Sequence, residues 1–262
     1  MNAEQQAHAA RFDDMLLKIE IRLHELMSEA SRHLSPITGK NPTDLASFTI
    51  VLSKFDDRVH ALRAKIDEEW NGGIGSLFES LDDDGAFFSQ GFNKKEDVEQ
   101  VLDHEWARFK VSATSKFYRN VYAAAALAAR TPVACKNCNT QLPIGDRATT
   151  VSLKCAQCQT PNEIAGDFAA ILFKSGGPQA FAAEEALPIR FEIDRFRIQS
   201  KRKSRKLGGV EPSSNIQRWS AMERSYYVRF AFTQAKYAGG PIDYEWIESQ
   251  MTRFRRQLIG KK

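Results

Sequence analysis

Two apolar stripes in the N-terminal part constrain the fold most strongly, because their members recur at alternating steps of four and three residues. This spacing places all members of a stripe on one face of an α-helix. Pro36 and the stretch from Gly39 to Pro42 separate the two stripes and interrupt helices. We therefore predict two helices that fold back as an antiparallel hairpin. The members are Phe12, Leu16, Ile19, Leu23, Leu26 and Ala30 in the first stripe, and Leu45, Phe48, Leu52, Phe55, Val59, Leu62 and Ile66 in the second.

The same spacing is typical of dimeric coiled coils, so pairing of these helices between chains remains an alternative to pairing within one chain. Short connections favour the pairing within one chain, since they usually join antiparallel neighbours. Assembly into an oligomer is thus left open by the sequence.

A third long helix is predicted to begin near Asn93 and to reach about Arg130. Asn93 followed by Glu96 forms a capping-box pattern, and apolar residues then recur at helical spacing. Residues 71–92 lack such spacing and are rich in glycine. We expect an irregular connector there, with exposed apolar side chains such as Phe78 and Phe87.

The C-terminal part is predicted to contain several shorter helices. Gly176-Gly177-Pro178 and Pro188 favour breaks between them, and residues 189–198 fit a strand as well as a helix. Ser214 with Gln217 predicts the start of a further helix, which Gly239 ends. A last helix carries apolar residues from Ile247 to Leu258 at helical spacing.

Four cysteines form the most specific motif of the chain. Cys135 and Cys138 make one CxxC pair, Cys155 and Cys158 make a second, and sixteen residues separate the pairs. Two residues between cysteines allow a tight turn that directs both sulfurs at one ion. We expect a β-hairpin between the pairs, because the residues there are rich in strand formers around a Gly145-Asp146 turn.

Residues 133–164 resemble the zinc-ribbon modules of many unrelated proteins, and the four cysteines carry the whole resemblance. The resemblance implies a Zn²⁺ ion held by Cys135, Cys138, Cys155 and Cys158, with iron as an alternative. Zinc ribbons often have glycine at positive φ after the second cysteine of each pair, where this chain has Asn139 and Gln159. With four thiolate ligands the coordination is complete, so a structural metal is expected.

Charge is distributed unevenly along the chain. Residues 1–130 carry 16 basic and 21 acidic side chains, whereas residues 131–262 carry 21 basic and 12 acidic ones. The basic side chains concentrate in one segment, which favours contact with phosphate groups but is also typical of a solvated linker. Its members are Arg195, Arg197, Lys201, Arg202, Lys203, Arg205 and Lys206.

Taken together, these patterns predict a mainly α fold: a bundle of long antiparallel helices with an inserted four-cysteine zinc ribbon that contains a small β-hairpin. The expected parts are residues 1–131, the ribbon at 132–165 and a basic helical part at 166–262. No apolar run is long enough for a membrane span, and no secretory signal is evident, so a cytoplasmic location is expected.

The sequence contains no recognisable catalytic motif, and we expect a protein that is not an enzyme. The favoured function is an adaptor or scaffold that binds another protein, with zinc in a purely structural role. The alternative is a nucleic-acid-associated protein that uses the ribbon and the basic segment 195–206.

Overall fold

The computed structural model describes residues 1–82, 85–145, 147–206 and 213–259. It confirms the predicted mainly α fold with a small antiparallel hairpin beside the cysteines. The elements are α1 (Ala3–Lys40), α2 (Leu45–Glu69), a π-helical turn (Trp70–Ile74), α3 (Gly75–Ser80), α4 (Ala86–Arg130), β1 (Val151–Lys154), β2 (Pro161–Ile164), α5 (Phe168–Lys206), α6 (Ser213–Ala238) and α7 (Tyr244–Ile259). Within the described ranges, none of these helices has the length and apolar character required to span a bilayer.

The chain forms two compact units, residues 1–113 and residues 114–262, and the boundary between them falls inside α4. The sequence predicted three parts, residues 1–131, 132–165 and 166–262. This division differs from the two compact units and stays a prediction.

In the N-terminal unit, α1 and α2 form the predicted antiparallel hairpin. Phe12, Leu23 and Phe55 are among the stripe residues that are buried in its core. Arg58 of α2 pairs with Glu29 of α1 at 2.8 Å beside this apolar contact. The core consists of Ala9, Phe12, Leu16, Ile19, Leu23, Leu26, Ala30, Phe55, Val59, Ile66, Trp70, Phe78, Phe87, Leu102 and Trp106.

The helix break expected at Pro36 is wrong, since α1 continues to Lys40. Pro36 lies in the last turns of α1, and its missing N–H removes one bond of the ladder without ending the helix. The Asn41 N–H then closes the helix on the carbonyl of Ile37 at 3.2 Å. The start of α2 follows the prediction, and Asp44 caps it by accepting the N–H of Ser47 at 3.0 Å.

The irregular connector expected at 71–92 is largely wrong, leaving aside residues 83 and 84, which lie outside the described ranges. A π-helical turn and α3 occupy its first half, and α4 begins at Ala86 rather than Asn93. Phe78 and Phe87, expected to be exposed, are buried and stack on each other with ring centroids 4.5 Å apart. The reason is tertiary: these rings complete the core between α1 and α2, which the local pattern does not reveal.

The first part of α4 is bonded to α2 by charged and polar side chains. The Nε1 of Trp106 donates to Asp56 at 2.6 Å, and Lys110 reaches the same carboxylate at 2.7 Å. One turn nearer the start of α4, Arg63 pairs with Asp103 at 2.8 Å. The pairs run in opposite directions along the two helices, so α2 and this part of α4 are antiparallel.

In the C-terminal unit, the end of α4 packs antiparallel to α5, and α5, α6 and α7 alternate in direction. The hydroxyl of Ser115 donates to the carbonyl of Ala180 at 3.1 Å between α4 and α5. Phe181 and Tyr237 join α5 to α6, with ring centroids 4.7 Å apart. The predicted starts and ends of α6 and α7 agree with the structure within a few residues.

The breaks expected in the segment 168–198 are wrong, because one helix, α5, runs through Pro178 and Pro188. Packing explains the glycines. A Cβ at Gly176 would overlap the ring and hydroxyl of Tyr118, and one at Gly177 would overlap the ring of Phe173. Glycine at these two positions therefore permits close packing of aromatic side chains rather than a turn. The ambiguous residues 189–198 are helical as part of α5.

Candidate metal centre

The cysteine module lies between α4 and α5 and contains the paired strands β1 and β2. Val151 pairs with Ile164 and Lys154 with Pro161 in an antiparallel register. The second CxxC pair is therefore the turn of this hairpin. The expectation of a hairpin between the two pairs is wrong in this respect, since the strands flank the second pair instead. Asp146 of the expected turn lies outside the described residues. A single bridge, Ala134 with Gln141, flanks the first pair in the same way.

The two CxxC turns have matching backbone geometry. In the first, the Asn139 N–H donates to the carbonyl of Cys135 at 3.0 Å. In the second, the Gln159 N–H donates to the carbonyl of Cys155 at 2.9 Å. Asn139 and Gln159 both have φ of 60°, and they are the non-glycine residues with positive φ among the described residues. These are the positions where zinc ribbons often have glycine, so the expected backbone conformation is present without it.

The four sulfurs form one cluster. The ligand atoms of Cys135, Cys138, Cys155 and Cys158 all lie within 4.8 Å of one another. Across the two pairs, the Sγ atoms of Cys135 and Cys158 are 3.6 Å apart, and those of Cys138 and Cys155 are 3.5 Å apart. A tetrahedral site with Zn–S bonds of about 2.3 Å separates its sulfurs by about 3.8 Å. The spacing of the cluster therefore fits a single tetrahedral metal ion.

Backbone and hydroxyl groups direct hydrogen bonds at the sulfurs. The N–H groups of Cys138 and Asn137 lower the pKa of the Cys135 thiol. The hydroxyl and the N–H of Thr160 lower the pKa of Cys158 to about 5. Donors of this kind stabilise thiolate, which is the form of cysteine that binds metal.

The pKa of Cys155 differs from those of Cys135 and Cys158, because some of its neighbours lower the pKa and others raise it. The N–H groups of Cys158 and Gln157 lower its pKa, but burial and the neighbouring thiols of Cys138 and Cys158 outweigh them, so the pKa of Cys155 is raised. A cation placed between the sulfurs would remove this crowding of like groups, since it attracts all four thiolates.

Asn162 is a part of the site that the sequence reasoning missed. Its side chain is buried and joins the two turns: Oδ1 accepts the Lys136 N–H at 3.0 Å, and Nδ2 donates to the carbonyl of Thr160 at 2.8 Å. The same Nδ2 lies 3.5 Å from the Sγ of Cys135. The hydroxyl of Thr140 makes a further link between the turns by donating to Gln157. The signal that could have identified Asn162 is its polar side chain at a buried position of β2.

The basic segment 195–206 is the C-terminal end of α5, and the structure uses its members differently. Arg195, Lys201, Lys203 and Arg205 are exposed, whereas Arg202 is half-buried and the Lys206 side chain lies outside the described residues. Arg197 packs over the ring of Trp219 at 5.1 Å, which places it in the contact between α5 and α6. The alternative that the basic segment is a solvated linker is wrong, because residues 195–206 are helical. Residues 207–212, which follow the segment, lie outside the described part.

Comparison of the chain with protein-family models, with curated proteins and with solved structures gave no match.

Proposed function

We propose that this protein is a non-enzymatic adaptor or scaffold in which Cys135, Cys138, Cys155 and Cys158 hold one structural Zn²⁺ ion. The observation that carries the proposal is the spacing of the four sulfurs, which fits one tetrahedral ion. Four thiolates select zinc over harder cations, and iron remains the second choice for the same ligands.

A site with four protein ligands supports a structural role. Because every tetrahedral position is filled by sulfur, no position remains for water or a substrate. The module also has little core of its own: Leu142 is buried beside Cys135 and Cys155, and a few half-buried side chains such as Ile144 and Leu153 surround them. Binding of metal supplies the folding free energy that so small a core lacks.

The rigid turns present a surface that a partner protein can contact. The two residues inside each CxxC pair are exposed, namely Lys136 and Asn137 in the first turn and Ala156 and Gln157 in the second. Their backbone is fixed by the hydrogen bonds of the turns. A backbone that is already fixed loses little conformational entropy on binding, which favours a role as a docking surface.

Protein partners captured on the tagged wild-type protein should persist after nuclease digestion. The double variant Lys136→Glu, Gln157→Glu should lose them, because it changes charge on both turns without touching a cysteine. A matched control, Gln6→Glu with Lys40→Glu, makes the same two changes at exposed positions of α1. Quantitative mass spectrometry of the captured proteins measures the result. Retention of all partners by the double variant would contradict a docking role for the turns.

A second function, association with nucleic acid, is favoured by cations that converge at one end of the C-terminal unit. Trp219 of α6 contacts Arg197 of α5 and also Phe254 of α7, with ring centroids of the two aromatics 5.2 Å apart. The C-terminal ends of α5 and α7 therefore lie together. Exposed cations there include Lys201 on α5 and Arg255 on α7, a distribution that suits phosphate contacts.

For this second function, the affinity for a fluorescein-labelled DNA duplex should fall steeply with salt. Replacing Lys201 and Lys203 by glutamine should reduce the slope of log affinity against log salt by about 0.9 for each lost phosphate contact. Fluorescence anisotropy measures the slope, and Lys40→Gln with Lys65→Gln is the control, since both positions are exposed in the other unit. A flat salt dependence for the wild type would remove this function.

A further inference from the structure

A groove of about 530 Å³ lies in the C-terminal unit, beside the cysteine module. Its walls are the end of α4, the start of α5, the end of α6 and the loop that contains Arg147. The volume lies within the range of about 300–1,000 Å³ that is common for small-molecule sites. The groove is separate from the metal centre, because none of its lining residues is a cysteine.

Part of the lining is apolar and aromatic. Tyr122 of α4 and Phe173 of α5 pack with ring centroids 4.9 Å apart, and Tyr237 of α6 also lines the groove. Alanines of α4 line it too, among them Ala126. Small side chains flanked by aromatic rings leave space for a flat apolar group and provide it with contacts on several sides.

Cationic side chains also line the groove. They are Arg130 at the end of α4, Arg147 in the loop and Lys174 of α5. Guanidinium groups attract anions. An anionic group is therefore the chemical complement of the two arginines.

Arg147 carries the strongest indication of a ligand. Its backbone carbonyl is held by the N–H of Asp167 at 2.7 Å, so the loop is fixed at the start of α5. Its Nε, however, is buried from solvent and has no hydrogen-bond partner. A buried donor without an acceptor costs free energy, and a ligand that draws the guanidinium toward the groove would remove that cost.

We propose that this groove binds a small organic anion with an aromatic or aliphatic body. The apolar part packs against Tyr122 and Phe173, and the carboxylate, sulfonate or phosphate group pairs with Arg147 and Arg130. Guanidinium groups suit such oxyanions because their donors match two oxygens at once. A bound ligand would contact both the loop of the cysteine module and three helices, and so would stabilise the position of the module within this unit.

The test uses 1-anilinonaphthalene-8-sulfonate, an aromatic anion whose fluorescence rises in apolar surroundings, and its neutral analogue N-phenyl-1-naphthylamine. The metal-loaded wild-type protein should bind the anion saturably at one site. Arg147→Met should weaken the anion by about tenfold or more, the usual cost of a charged hydrogen bond, and leave the neutral analogue within twofold. Ala126→Trp should abolish binding of both probes, because it fills the groove.

Arg195→Met is the matched control, since it removes an exposed cation of α5 outside the groove. Circular dichroism and metal content verify that each variant is folded. If Arg147→Met does not fold, Arg130→Met gives the same comparison from an exposed position at the end of α4. Absence of saturable binding by the wild type would overturn the proposal. So would an unchanged anion affinity in the arginine variant, or unchanged binding in Ala126→Trp.

Discussion

Serine in place of Cys158 should release the metal ion and unfold the cysteine module, while the helices stay folded. The variant leaves three sulfurs and a hydroxyl that is a poor ligand for zinc. Metal binding contributes about 10–16 kcal/mol in peptides with such sites, so the loss of one ligand removes much of what folds the module. We expect the metal content to fall from about one ion per chain to nearly none.

Inductively coupled plasma mass spectrometry measures the metal, and tryptic digestion measures the local unfolding. Lys136 and Lys154 lie inside the module and should become cleavable before the lysines of the helices. The far-ultraviolet circular dichroism should change little, because the module contributes two strands of four residues each. Cys135→Ser should give the same result, since its sulfur lies in the same cluster.

The matched control is Ala156→Ser. It adds the same hydroxyl at an exposed position in the same turn but removes no sulfur. It should keep the metal and resist trypsin like the wild type. An unchanged metal content in Cys158→Ser and Cys135→Ser would show that these sulfurs are not ligands, and the structural-metal proposal would then fail.

The fold was predictable from the sequence where apolar residues recur at helical spacing, because that spacing shows which face of a helix is buried. The stripes of α1 and α2 give both helices and their antiparallel pairing, because each stripe can be covered only by another apolar face. Phe78 and Phe87 were not predictable in this way. They are buried by a fold of the chain between α2 and α4, and no short period in the sequence encodes that contact.

Gly176 is a single residue whose structural role could not be predicted from the local sequence. A glycine pair followed by proline favours a turn by local rules, yet here the missing Cβ lets the ring of Tyr118 approach α5. The choice between turn and close packing depends on a side chain nearly sixty positions away. Local propensity is then a weak guide, since the packing of α4 against α5 decides the outcome.

The clustering of the four cysteines was predictable from the sequence, whereas the residues that support the cluster were less so. The CxxC spacing identifies the four cysteines, and Asn139 and Gln159 occupy the positions of positive φ that the resemblance implies. Asn162 was missed because its role depends on the strand pairing, which brings it to Cys135 across the module. The hairpin was expected between the two CxxC pairs, whereas its strands flank the second pair, because the sequence does not show which strands pair.

The N-terminal unit depends on an aromatic cluster centred on Phe12. This ring is buried, with 1% of its surface exposed, and its centroid lies 5.4 Å from Trp70 and 5.7 Å from Phe78. Trp70 begins the π-helical turn and Phe78 belongs to α3, so Phe12 contacts both segments that lead out of the helical hairpin. Removing the ring leaves a cavity between these two segments and α1, and such a cavity cannot easily collapse.

We therefore expect Phe12→Ala to lower the free energy of unfolding of this unit by about 3–5 kcal/mol, the usual cost of truncating a buried phenylalanine. Leu17→Ala is the control on the same helix; Leu17 is 55% exposed, and its truncation should cost less than about 0.5 kcal/mol. Hydrogen exchange of peptides from α1 and α2 in increasing urea reports on this unit alone. Similar losses of unfolding free energy in the two variants would contradict the conclusion that the cluster is the centre of the core. A buried ring should contribute more to that free energy than an exposed side chain.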